Sequence, residues 1–166
     1  MDEKTRELIK VRLEKAEEDI DTAVELLSFK RYRAAVNRSY YALFSITTAV
    51  LLTKKLERSK HAGVEAALNQ HFIKTRILEI EYGKIFNYVR QKREESDYTA
   101  KVMIDLETAQ QQHSFPFPVL IQTRQNLGIA NHRDGRLCRI QRKEKFSRPW
   151  DAVEVVNEDD EIEQPL

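Results

Sequence analysis

Apolar residues return at helical spacing through most of the first 112 positions, and nowhere before residue 115 does hydrophobicity alternate over the length of a strand. From about Lys4 to Ser28, Ile9, Leu13, Ala16, Ile20, Ala23 and Leu27 step 4-3-4-3-4 among charged residues, the seam of one helix in an antiparallel bundle. Arg33 to Leu52 holds no Pro or Gly and carries two apolar rows. One is Val36, Leu43, Ile46 and Val50; the other is Tyr40, Phe44, Thr47 and Leu51. A helix that is apolar on two sides must be covered on two sides, so this segment predicts the central helix. Its third row, Arg38, Tyr41, Ser45 and Thr48, is polar or amphipathic and is expected to face a cleft, water or a partner chain. The short connection Phe29–Tyr32 sets the first two helices antiparallel.

A basic loop, Lys54–Lys60, leads to a third, shorter helix with Ser59 as its expected N-cap and Val64, Ala67, Leu68, His71 and Phe72 on its stripe. A fourth helix is predicted over Leu78–Glu95, buried through Leu78, Tyr82, Ile85, Phe86 and Val89. Arg90, Lys92 and Arg93 crowd its C-terminal end, where the helix dipole favours cations. Ser96 and Asp97 are expected to end it and to cap a fifth helix carrying Val102, Met103, Leu106 and Ala109. After His113 the pattern stops. Ser114-Phe-Pro-Phe-Pro118 reads as a helix breaker, with only weak strand signals at Val119–Ile121 and around Val153–Val156. The reading is an all-α bundle over 1–113 and an irregular or disordered tail over 114–166.

Composition sharpens that boundary. All six tyrosines precede residue 100 and all four prolines follow residue 115. Arg124–Arg148 holds eight basic and two acidic residues, and Pro149–Leu166 holds seven acidic and no basic ones. The tail's basic half invites nucleic acid, but a solvated charge run is the plainer reading. Net charge is only +1, so bulk electrostatics argue for neither nucleic acid nor a membrane. The single cysteine, Cys138, excludes an internal disulfide framework. The charged start lacks a signal-peptide core, and the greasy run Tyr40–Leu52 is too short to span a bilayer. A cytoplasmic protein is expected. No His/Cys/Asp/Glu spacing points to a metal, and no Gly-rich phosphate loop is present, so no cofactor is expected.

Four blocks then carry a resemblance. Arg31-Tyr-Arg-Ala-Ala-Val-Asn-Arg-Ser-Tyr-Tyr-Ala-Leu-Phe44, Lys60-His-Ala-Gly-Val64, Phe72-Ile-Lys-Thr75 and Arg90-Gln-Lys-Arg-Glu-Glu-Ser-Asp-Tyr98 together resemble the HEPN superfamily, in its small stand-alone prokaryotic branch. The resemblance implies an antiparallel bundle of four to five helices, usually a homodimer. It also implies a nucleotide- or RNA-binding module of a toxin–antitoxin or defence system, with a nucleotidyltransferase antitoxin as partner. Many such domains are metal-independent endoribonucleases whose motif is Arg, four to six residues, then His, near the end of the fourth helix. Family members also continue the fifth helix for several turns, whereas here the helical pattern stops near Gln112.

This sequence departs from the motif where it matters most. Neither Arg90 nor Arg93 has a histidine in register, and the next one is His113. Aligned on the tyrosine of the toxin version, Tyr98 matches, while Ser96 stands in the place of His and Gln91 in that of Arg. The expectation is therefore a positively charged cleft of Arg38, Tyr41, Arg90, Arg93, Asp97 and Tyr98 that binds RNA or nucleotide without efficient cleavage. A second reading keeps the nuclease and gives the proton to His61, in the first turn of the third helix, provided the fold brings it near Arg93. A third makes the bundle a purely structural partner of a nucleotidyltransferase. Against each stands a plainer alternative: arginines paired to nearby carboxylates, Asp97 as a cap, Tyr40 as core, and His61 as a local hydrogen-bonding residue.

Overall fold

Helices account for every regular element that the computed structural model describes, over residues 1–98 and 104–128. They are α1 (Glu3–Ser28), α2 (Tyr32–Leu52), α3 (His61–Leu68) with a π-helical turn at Asn69–Ile73, α4 (Ile80–Tyr98), α5 (Leu106–Ser114) and α6 (Pro116–Leu127). The fold is an all-α helical bundle. Asp2 caps α1 by accepting from the Thr5 amide at 2.8 Å, and Asp105 caps α5 through Thr108 at the same distance.

The seam of α1 is buried as its spacing demands: Ile9, Leu13, Ala16 and Ala23 are fully covered and Ile20 nearly so. α2 is the centre of the bundle and packs against α1, α3, α4, α5 and α6. Val36, Tyr40, Leu43, Ile46 and Leu51 are buried along it. Its polar row divides. Ser45 and Thr48 are buried, and the Thr48 hydroxyl donates to the Ser45 carbonyl at 2.8 Å. Arg38 and Tyr41 stay half-buried, so only the first half of the row reaches a surface.

Three helix ends turn through a left-handed residue that is not glycine: Lys30, Lys55 and Arg76, each at φ 57°. In each case the next amide reaches back five residues, as in Arg31 N to Leu26 O at 2.8 Å and Ile77 N to Phe72 O at 2.9 Å. Gly83 has a different task. A Cβ there would lie 3.0 Å from Asn69 Oδ1, so its absence lets α4 approach the π-helical turn closely.

Several boundaries differ from the sequence reading. α3 begins after Lys60, which makes no side-chain cap, so Ser59 is not its N-cap. α4 runs through Ser96 and Asp97 to Tyr98, because the Ser96 hydroxyl bonds back to the Arg93 carbonyl at 2.8 Å and does not cap a new helix. Val102 and Met103 lie outside the described residues, as do Cys138 and Val153–Val156.

The segment after Ser114 is the largest correction. Pro116 opens α6 at its first turn, where a missing amide costs nothing, and Val119–Ile121 is helical rather than extended. Gly128 closes the helix at φ 62°. Val119 and Leu120 are buried, and the Arg124 guanidinium, 1% exposed, pairs with Glu17 of α1 at 2.9 Å. The helical path thus continues past His113, with a break at Phe115.

Candidate functional site

Three helices meet over one tyrosine ring. Tyr40, in the middle of α2, is 1% exposed, and a buried phenol needs a partner for its hydroxyl. His61, the first residue of α3, supplies it: Tyr40 Oη lies 2.6 Å from His61 Nδ1. From α4 the Arg93 guanidinium stands over the same ring, 5.7 Å from its centre. Phe86 packs on the ring at 6.2 Å. Tyr41 and Phe44, half-buried on α2, flank the imidazole at 6.3 and 4.7 Å between ring centres.

This setting fixes protonation. Burial pushes the Tyr40 hydroxyl up to about 12 against the pull of Arg93, so it keeps its proton at neutral pH. His61 is lowered from its usual value, first by burial and then by the positive charge of Arg93, with Arg90 adding to it and Glu94 opposing. Its imidazole is neutral at pH 7, free to accept or relay a proton.

Each arginine is met by a carboxylate. Arg93 Nη2 lies 2.9 Å from Asp97 Oδ2, and the Asn37 amide donates to the same oxygen at 3.5 Å. Arg90 spans two partners, Glu65 of α3 at 3.0 Å and Glu94 at 2.7 Å. Arg38 Nη1 reaches Asp19 of α1 at 3.1 Å, with its guanidinium over the Tyr41 ring at 5.1 Å. The surface is therefore charge-balanced, with the arginines paired as the plainer alternative has it. Among the described residues no three His, Cys, Asp or Glu side chains gather as metal ligands, and no helix is long and apolar enough to cross a membrane.

Comparison with known proteins agrees with this architecture. The family model described as HEPN domain matches residues 9–113. The chain belongs to the HEPN domain family. A UPF0332 protein of Thermotoga maritima is 44% identical over 98 residues, covering 59% of this chain and 74% of its own. Two proteins of Methanocaldococcus jannaschii are similar at 37% over 105 residues and 42% over 94. They cover 63% and 57% of this chain and 71% and 70% of their own, and each is named a "putative toxin".

Within this HEPN domain the structure brings together His61, Arg90 and Arg93, with Asp97 on Arg93 and Glu94 on Arg90. Arg38 and Tyr41 lie next to them along α2, where Tyr41 touches Tyr40 edge-on at 5.5 Å. Tyr98 is the last residue of α4, and its side chain lies outside the described residues. His113, the histidine that follows the arginines in sequence, is 9% exposed on α5 and is lowered by burial, with Asp21 of α1 as its opposing charge. Sequence reasoning placed Tyr40 in the core and passed over Glu65 and Asn37. A tyrosine on a buried row is itself a signal, because its hydroxyl must be answered by a polar neighbour. Glu65 gave a weaker one: it stands four residues after His61, on the same face of α3.

Proposed function

We propose that this HEPN domain binds RNA through its phosphates at the surface formed by Arg90, Arg93 and His61, in a toxin-like role. One observation carries the reading: an arginine from α4 and a neutral histidine from α3 stand against a single buried tyrosine. The arginines' present partners favour exchange. Glu94 and Asp97 sit four residues after Arg90 and Arg93 near the C-terminal end of α4. That is the weaker order for an i,i+4 pair, and it sets carboxylates against the negative end of the helix dipole. Such intrahelical pairs contribute only about 0.3–0.5 kcal/mol each, and a phosphate can take the place of both while Arg90 keeps its second partner, Glu65. The relatives named "putative toxin" support the setting, and the homodimer and nucleotidyltransferase partner belong to the same proposal.

The Tyr40–His61 hydrogen bond favours a second reading, metal-independent cleavage. With Nδ1 engaged by Tyr40, Nε2 is the nitrogen left to exchange a proton with the RNA 2′-hydroxyl, and Arg93 stabilises charge developing on the phosphate. Incubating the purified protein with RNA and EDTA, beside Arg93→Ala and His61→Ala, tests both. Binding without cleavage, lost in Arg93→Ala, supports the binding module. Cleavage in EDTA that disappears in His61→Ala supports the nuclease. Neither binding nor cleavage contradicts both.

A further inference from the structure

Binding and cleavage ask opposite things of His61. To take the 2′-hydroxyl proton its Nε2 must be bare, whereas to hold a phosphate that nitrogen must donate. Tyr40 decides between the two. Its hydroxyl lies 2.6 Å from His61 Nδ1 and makes no other hydrogen bond among the described residues. Tyr40 is 1% exposed, and burial holds its hydroxyl up at about 12, so the phenol carries its proton at neutral pH. A buried hydroxyl whose proton meets no acceptor forfeits a hydrogen bond that water gives it in the unfolded chain. The arrangement without that loss has Tyr40 donating to a bare Nδ1, and a neutral imidazole with a bare Nδ1 carries its proton on Nε2.

The imidazole so fixed stands among donors that are not fully used. Asp97 takes Arg93 Nη2, yet Arg93 Nε is buried and donates to nothing among the described residues. His61 is half-buried, and its second nitrogen makes no hydrogen bond there either. Burial first, and then the charge of Arg93, keeps a second proton off the ring at neutral pH. The tautomer of His61, and not its charge, therefore sets what it offers a ligand. We infer that Tyr40 is a positioning residue that holds the His61 proton on Nε2, so that a third donor joins Arg90 and Arg93. The group that matches three donors is a phosphodiester, whose ionised oxygens only accept. This rests on the reading of Arg90 and Arg93 as phosphate ligands and selects binding over cleavage at that site.

Two measurements on the full chain test it. Proton–nitrogen correlation spectra of the His61 ring, at mildly alkaline pH, show which nitrogen carries the proton. Fluorescence anisotropy with a labelled RNA strand bearing no terminal phosphate gives the affinity. Tyr40→Phe keeps the ring, and circular dichroism checks that it keeps the fold. The proton is expected on Nε2 in the parent and shared between both nitrogens in Tyr40→Phe, with RNA affinity lowered severalfold. His61→Ala is expected to weaken binding on the order of tenfold. His61→Gln is expected to hold the affinity, because its amide can place an N–H where Nε2 stood. A proton on Nδ1 in the parent overturns the assignment while leaving the phosphate site standing. So does an unchanged affinity in His61→Ala, or cleavage of the strand that His61→Gln abolishes. A tautomer and an affinity both unmoved in Tyr40→Phe overturn the role of Tyr40. If the parent binds no RNA, the phosphate site fails and the third donor fails with it, whichever nitrogen carries the proton.

Discussion

Tyr40 and His61 share a hydrogen bond of 2.6 Å between α2 and α3, beneath the guanidinium of Arg93. Replacing Tyr40 by Phe keeps the ring and removes only the hydroxyl. A net loss of about 1 kcal/mol in urea unfolding is expected, with the imidazole losing the partner that orients it. A variant as stable as the parent would show that the hydroxyl does not lock the two helices.

The charge of Arg93 acts on His61 as well as on any ligand. After burial, that guanidinium is the largest influence lowering the imidazole. Arg93→Gln should therefore raise the His61 pKa towards its ordinary value, read from the imidazole proton shifts across a pH titration. An unmoved His61 resonance would separate the two residues electrostatically.

Stability should fall on mild acidification. His61 and His113 both have folded-state values below the ordinary 6.5, in each case mainly through burial. As pH drops through 6.5, the unfolded chain takes up protons first, so the stabilisation present above that pH is lost until the folded values are reached. Urea midpoints at about pH 7.5 and about pH 5.5 measure the slope. His113→Leu should flatten it, because the more deeply buried ring no longer titrates. A parent protein with no slope in this window would contradict the burial of both rings.

The buried pair between Arg124 and Glu17 fastens α6 to α1. Breaking one side of such a pair typically costs about 3–5 kcal/mol, while replacing both by apolar groups is often neutral. Arg124→Ala should destabilise strongly in urea, and Arg124→Met with Glu17→Leu should recover most of the loss. A change under about 1 kcal/mol in Arg124→Ala would mean that α6 is not held there.

At Lys30, Lys55 and Arg76 a residue with a Cβ occupies a backbone conformation that glycine adopts without strain. Each change to Gly should raise the thermal midpoint, since the relief of about 1–2 kcal/mol exceeds the entropy that Gly adds to the unfolded chain. Lys30→Gly is the cleanest case, being exposed. A lowered midpoint would contradict the left-handed geometry.

What the sequence made legible follows from how local each signal is. The seam Ile9 to Ala23 and the two rows of α2 are periodic over many turns, so helix, face and central position could all be read from spacing. Pro116 and Pro118 misled because proline is read as a breaker unless it falls in a first turn, and only the packing of Val119 and Leu120 shows that it does. The arginines were legible as a cluster, with pairing to carboxylates as the plainer alternative, but not every partner could be named. Glu94 and Asp97 are near in sequence, yet Glu65 and Asp19 reach Arg90 and Arg38 only through helix packing. The closeness of His61 to Arg93 likewise depends on how α3 lies across α2 and α4.

The salt dependence of RNA affinity tests the phosphate site most directly. Each phosphate neutralised by a cation steepens the fall of log K with log salt, and losing one contact lowers the slope by about one. If Arg93 holds a phosphate, Arg93→Ala weakens binding across RNA sequences and flattens the slope by that amount, while an exposed lysine change such as Lys74→Ala does neither. An Arg93→Ala protein with the parent's affinity and slope would contradict RNA binding at this site.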